Sequence, residues 1–241
     1  MSPMPDIYAD TCPVEPVVRL AGAGLNDNPH YEVRLDAVTC SLSRGALALV
    51  TLRVGQGDHP LADLLAGLVL PDRGEVEVFG AAWSGRSPAQ QALLRGRMGR
   101  VFEGHGWLSN LDVDENITLA QRHAARRPAA AILEEARGWA DLAGLPDGLP
   151  AARPAHLPQE TLGRCAWVRA CLGAPWLVVL EHPGRGLADG WLEPLVAMMA
   201  ALRARGTAVI WIGGEEEAEQ CAALKPSLIL RAEGNTLREE N

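Results

Sequence analysis

Ser43-Arg44-Gly45-Ala46-Leu47-Ala48-Leu49-Val50-Thr51-Leu52-Arg53-Val54-Gly55-Gln56-Gly57-Asp58-His59-Pro60, continued by LADLLAGLVL (61–70) and PDRGEVEVFG (71–80), decides the fold. Arg44-Gly45 reads as a turn and 46–52 as an apolar run short enough for a buried strand. A glycine-containing loop follows. Residues 60–70 place apolar side chains at helical spacing, with Pro60 suited to a first helical turn. Pro71-Asp72-Arg73-Gly74 is a turn, and 75–80 return as a strand. The order strand, glycine loop, helix, strand is that of an α/β sheet.

Upstream, VVRLAGAGL from Val17 and YEVRLDAVTCSL from Tyr31 alternate as antiparallel strands joined by the polar turn Asn26–His30. Downstream, about 84–162 read mostly as helix, and from Glu160 a helix, a strand (176–181), a helix, a strand (207–213), a helix from Glu215 and a last strand follow. The expectation is an α/β fold with an antiparallel β subdomain and an inserted α-helical subdomain at 84–162. The boundaries drawn are an unstructured leader over 1–16, one domain over 17–234 and a tail over 235–241.

The chain has 241 residues, enough for one substantial core. A net charge of −8 argues against nucleic acid held by bulk electrostatics, and Lys225 is the one lysine. The N-terminal residues lack the basic flank and apolar run of a signal peptide, and no stretch approaches the roughly 20 apolar residues of a spanning helix. Cys12, Cys40, Cys165, Cys171 and Cys221 show neither a CxxC pair nor zinc-site spacing, and read as small apolar residues in a reducing compartment.

The order of segments from Val17 to Gly234 resembles the ATP-binding cassette of ABC transporters, a P-loop NTPase-like fold. Five landmarks carry the resemblance, in that family's order: the 43–80 stretch for the P-loop; GRVFEGHGWLSNLDVDENI (99–117) for the Q-loop and following helix; LPQET (157–161) for the signature; WLVVLEHPGRGLAD (176–189) for Walker B and the D-loop; and GTAVIWIGGE (206–215) for the last core strand and H-loop. The 102–117 run is also similar to cassette subunits of lipid-trafficking transporters of the mammalian-cell-entry class.

Mapped onto these positions, the family's chemistry is replaced throughout. A P-loop works through backbone N–H groups, a lysine and a metal-binding hydroxyl. Gly55 and Gly57 keep the turn, but Asp58 stands at the lysine position and His59-Pro60 at the hydroxyls. A unit charge about 4 Å from a phosphate is worth roughly 4 kcal/mol at an effective dielectric of about 20, so reversing its sign opposes binding. Walker B reads Glu181-His182 in place of Asp-Glu, the Q-loop glutamine is Glu103, and Gly214 holds the H-loop histidine position. In the signature, Pro158 lacks the hydroxyl, and Gln159 and Glu160 bring bulk and negative charge where glycines approach a partner's nucleotide. Arg185-Gly186-Leu187-Ala188 alters the D-loop. Tyr31, near the adenine-stacking position but off register, reads as a strand-edge residue.

The resemblance therefore implies a non-hydrolysing cassette subunit, a structural or assembly component on the permease of a membrane transporter, with lipid as one substrate class. No cofactor is expected. The alternatives are an ATPase that binds Mg-ATP through substituted residues, or a soluble scaffold or regulatory protein. The implied partner is an integral membrane permease at the inner face of the cell membrane, with a second cassette or a second copy of this chain as a further partner. Residues 104–116 match the family's docking segment, making Trp107 and Leu108 docking candidates; packing of Trp107 inside the helical subdomain is the competing reading. Asn116 and the Arg164, Arg169 pair are retained, and Trp139, Trp167 and Trp211 read as core. If Asp58, His59, Glu103, Glu181 and His182 converge, they form either a divalent-metal site or a solvated polar cleft.

Overall fold

The computed structural model describes residues 5–6, 9–26, 30–53, 59–104, 106–124, 127–221, 224–233 and 236–239. Strands β1 (Val18–Leu25) and β2 (Arg34–Leu42) pair antiparallel, as their alternation requires, and β1 also pairs antiparallel with β4 (Arg73–Val78), which is edged by β5 (Ala81–Ala82). The expected turn at Asn26–His30 lies partly outside the described residues. A parallel set follows: β3 (Leu47–Leu52) lies beside β8 (Ala208–Gly214), then β7 (Leu177–Glu181), then β6 (Met98–Val101).

Two last strands weld the sets together. β9 (Leu228–Glu233) runs parallel to β3, and β10 (Thr236–Glu239) pairs antiparallel with β9 and parallel with β2. The result is one sheet in the order β5-β4-β1-β2-β10-β9-β3-β8-β7-β6. Residues 235–241 are thus not a tail over their described part: Leu237 is fully buried in the strand that joins the two halves. The leader is corrected likewise. Residues 9–16 form no helix or strand, but Cys12 is fully buried, the Trp176 indole donates to the Ala9 carbonyl, and Glu15 bonds Arg44. Apolar Ala9, Cys12 and Val14 gain more by packing on the sheet than from solvent.

Because side chains alternate along a strand, the parallel set feeds two cores. Ala48, Val50 and Leu52 of β3, with Val179, Ile210 and Ile212, face α1 (Leu61–Leu65) and the antiparallel strands. Leu47 and Leu49, with Val178, Leu180, Val209 and Trp211, face α5 (Gln159–Cys171) and α6 (Leu192–Ala204). Burial on both faces explains why 47–52 read as a continuous apolar run. α3 (Val113–Ala124) and α4 (Ala129–Leu142) stack outside α5 as the inserted helical part, and α7 (Glu215–Cys221) follows β8.

Two expected extents change. The helical block 84–162 contains a strand, because β6 adds to the sheet edge after α2 (Pro88–Arg95), so the insertion proper begins after it. α1 stops at Leu65 instead of Leu70. Gly67 takes a left-handed φ of +65°, and a Cβ there would lie 2.4 Å from the Trp83 ring, whose indole donates to the Leu65 carbonyl. Leu68 and Leu70 consequently remain exposed.

β6 can pass under α5 only through Gly99, where a Cβ would lie 1.9 Å from the Ala170 carbonyl oxygen. Gly99→Ala is expected to cost about 2 kcal/mol or more of unfolding free energy, since backbone rather than a flexible side chain must move. Urea titration checks this, and a variant as stable as the parent would contradict the close approach.

Candidate functional site

The strand ends of a parallel sheet gather loops at one edge, and here those ends belong to β3, β7 and β8. Gly55, Gly57 and Asp58 lie outside the described residues. His59 follows them, buried at 8% exposure ahead of α1. Its Nδ1 accepts the Leu61 backbone N–H at 3.0 Å, so Nε2 carries the proton, and that buried donor has no partner. Burial, with nearby His182 adding to it, pushes the His59 pKa down to about 3.

Glu181 ends β7. Its carboxylate meets the guanidinium of Arg100 on the adjacent strand β6, with Nε to Oε1 at 2.5 Å and Nη2 to Oε2 at 3.0 Å. Arg100 also donates through Nη1 to Asp63 Oδ1 of α1 at 2.6 Å, and the Tyr31 hydroxyl donates to Asp63 Oδ2 at 2.7 Å. Side-chain exposures of 16% for Arg100, 15% for Glu181 and 25% for Asp63 place this chain of bonds mostly out of water. Burial opposes the arginine's charge, but Glu181 and Asp63 outweigh it and hold its pKa above the ordinary value. Parallel pairing sets the geometry: Arg100 lies opposite Val179, from which its side chain reaches the end of β7.

His182 adopts a left-handed φ of +44°, its N–H donates to Ile212, and its Nε2 is a second buried nitrogen without a partner. Burial, then Arg185, lower its pKa. Glu103 is salt-bridged to Arg185 of the D-loop segment. At Gly214 a Cβ would meet nothing within 4 Å, while at neighbouring Gly213 it would strike the Glu217 carboxylate 2.1 Å away. Burial raises the Glu217 pKa.

Pro158 caps α5, and Glu160 in its first turn bonds Arg164 one helical turn on. A Cβ on Gly186 would lie 3.3 Å from the Gln159 side chain, so the D-loop rests on the start of α5.

In the segment before α3, Leu108 is 48% exposed. Asn116 fastens the loop: its Oδ1 accepts the Leu108 N–H at 2.9 Å, and its Nδ2 donates to the Leu108, Leu111 and Asp112 carbonyls. Trp107 packs partly buried on the helical core with the Arg169 guanidinium 4.4 Å from its ring centroid, which favours the packing reading for Trp107. The exposed apolar neighbours of this loop are Leu108 and Phe102.

The expected convergence is therefore partial. His59, Glu103, Glu181 and His182 do gather, but among the described residues no group of three or more His, Cys, Asp or Glu side chains is placed to hold a metal ion. Arginines intervene instead. Sequence reasoning missed Arg100, Asp63 and Glu217, and it placed Tyr31 as a strand-edge residue, whereas Tyr31 holds Asp63. Only the β6–β7 register reveals the first pair; a polar residue between Gly99 and Val101 in a short strand was the available signal.

His59 has a pH consequence. The unfolded chain takes up this proton near pH 6.5, whereas the native imidazole resists it down to about pH 3. Unfolded molecules then bind more protons, so this residue's effect on stability is absent above pH 6.5 and becomes a loss below it. The slope is at most about 1.4 kcal/mol per pH unit. Unfolding titrations from pH 7 to 5 should show a shallower decline for His59→Gln; identical slopes would contradict the buried neutral imidazole.

No family model matches the chain. A lipoprotein-releasing system ATP-binding protein, LolD 2 of Chlorobaculum tepidum, is 30% identical over 200 residues, covering 76% of each chain. LolD of Pseudomonas syringae pv. tomato is 29% identical over 92% of this chain and 96% of its own. The sulfate/thiosulfate import ATP-binding protein CysA 2 of Chromobacterium violaceum is 30% identical over 70% of this chain, which spans only 46% of that relative. The chain likewise spans 38% of the ribose import protein RbsA 1 of Rhizobium etli. Among solved structures, a dimeric ATP-binding cassette in a post-hydrolysis state with ADP and Pi superposes with a TM-score of 0.80 at 19% identity, over 93% of this chain and 98% of that one. The fold, the order of its landmarks and the identity to LolD 2 agree: this chain belongs to the ABC transporter ATP-binding cassette family.

Proposed function

We propose that this chain is a cassette subunit that does not hydrolyse ATP and acts as a structural or assembly component docked on a membrane permease. The observation that carries the reading is at positions 59 and 60. A metal–nucleotide requires a hydroxyl there, and the chain offers an imidazole that is buried, neutral and spent on the Leu61 N–H, followed by a proline. The rest of the edge agrees. Glu181 has both oxygens on Arg100, Glu103 is paired with Arg185, and Gly214 brings no side chain. These residues do not fit Mg-ATP, and no catalytic step is derived through it. Pro158, Gln159 and Glu160 would likewise disfavour a nucleotide held by a second cassette, so pairing with another cassette, or with a second copy, would not restore a site.

What the chain keeps is a shaped docking surface. Asn116 spends four hydrogen bonds holding the Leu108–Asp112 loop, and it leaves Leu108 in solvent. Such investment in a loop serves contact rather than chemistry. No described helix is long and apolar enough to cross a membrane, so attachment to the inner face of the cell membrane would come through the permease. Lipid or lipoprotein cargo is the substrate class we favour, supported by the lipoprotein-releasing relatives and by the 102–117 run. The competing reading, ATP binding through substituted residues, rests on those relatives being ATP-binding proteins.

Calorimetric titration separates the two readings: no heat of binding is expected at millimolar Mg-ATP, and saturable binding would overturn the degenerate reading. Fractionation of native membranes should recover the chain with a multi-span permease, and Leu108→Asp should release it into the soluble fraction at an unchanged melting temperature. Recovery of both forms in the soluble fraction would contradict docking.

A further inference from the structure

We propose that the cavity under α7, between β3 and β9, is a binding pocket for a small amphipathic amine. The inference stands apart from the loss of ATP chemistry. The cavity lies on the face of β3 opposite α1, because Leu49 and Thr51, which line it, alternate with Val50 and Leu52, which face α1.

Strand register gives the cavity one apolar end and one polar end. Its volume is about 420 Å³, within the roughly 300–1,000 Å³ of small-molecule pockets. Leu49 lies opposite Ile229, and with Ala218 of α7 these side chains supply an apolar floor. Further along β3, Thr51 lies between Gly213 of β8 and Arg231 of β9. Just past Gly213 the chain enters α7 at Glu215, and Glu219 stands one helical turn beyond it. Both glutamates line the cavity and both are exposed, so a ligand entering from solvent meets their carboxylates first.

Thr51 is the residue that points to a ligand. It is 2% exposed, it lines the cavity, and its hydroxyl has no hydrogen-bond partner among the described residues. A buried hydroxyl left unbonded weakens a fold, and valine would occupy the same shape without that cost. Leu47 and Leu49, the other residues on this face of β3, are apolar, so packing does not call for a polar side chain here. A polar group entering the cavity would complete the hydroxyl. Charge selects its sign: the lining carries two carboxylates against the one guanidinium of Arg231, which favours a cation over an anion. An amine with a short apolar body meets these requirements together. Its ammonium donors serve the Thr51 oxygen and the carboxylates, and its body covers Leu49 and Ile229.

The test follows backbone amide shifts of the isotope-labelled full chain by nuclear magnetic resonance. Phenethylamine is the probe, with phenethyl alcohol and hydrocinnamate as neutral and anionic probes of similar size. The amine is expected to give saturable shifts at Leu49, Thr51, Ala218 and Ile229, and to bind about fivefold more tightly than either other probe. Glu219→Gln, a change at an exposed position, should weaken the amine about threefold. Thr51→Val should weaken it about fivefold and melt no lower than the parent. Absence of saturable shifts at these amides overturns the proposal, as does an alcohol or acid that binds as tightly as the amine. A Thr51→Val variant that melts below the parent also overturns it, since the hydroxyl would then be bonded within the fold. These outcomes are separate from nucleotide titration: Mg-ATP binding by the parent would sink the degenerate reading and leave this pocket untouched.

Discussion

The Arg100 guanidinium is bonded at once to the end of β7 and to helix α1, and this bridge governs the geometry of the whole loop edge. In a strand–loop–helix that receives a charged ligand, the ligand links helix to sheet. Here a side chain from the neighbouring strand makes the link. Burial raises the Glu181 pKa, and the two Arg100 donors on its oxygens work against that rise, while Asp63 accepts from Arg100 and Tyr31. Two secondary features lie beside the bridge. The Arg185–Glu103 pair lies toward solvent and contributes little by itself. Burial disfavours the charged form of both histidines, with His182 adding to it at His59 and Arg185 at His182.

The bridge depends in turn on packing. β6 must lie tight against α5 for Arg100 to face α1, and Gly99 permits that approach. The second core, with Trp167 of α5 and Trp211 of β8 buried in it, fixes β7 and β8 from the other side. Indole donors meet Pro183 and Glu217, so the loops after β7 and β8 are tied to the core without a bound ligand. At the helical insertion, Asn116 and Arg169 perform the same service for the Trp107–Leu108 segment. Cross-linking by side chains is thus the common theme of these loops.

Much of the fold was legible because it follows from alternation. The apolar 47–52 run, the glycine loop and the helix at 60 dictate a buried parallel strand with a helix above it, and the antiparallel strands announce themselves by period two. What escaped was non-local. The pairing of 236–239 with both β2 and β9 is invisible in a short polar segment, and Cys12 and Ala9 are buried by a surface assembled from distant residues. The leucines at 68 and 70 extend the helical pattern past Gly67, whose left-handed conformation ends α1. At the site, the residues at 59, 60, 103, 181, 182 and 214 could be picked out by position, whereas the partners of Glu103 and Glu181 could not. Arg100 matters through a register with β7 separated from it by about 80 positions in sequence, which periodicity cannot supply.

The central claim is that Arg100 and Glu181 act as one unit holding the loop edge, and a double-mutant cycle on unfolding free energy measures that most directly. Arg100→Gln and Glu181→Gln, made singly and together, should show a coupling of at least about 1 kcal/mol, with the pair of changes costing less than the sum of the single ones. Single changes that add to within about 0.5 kcal/mol would mean the two groups are independent, and would contradict the account.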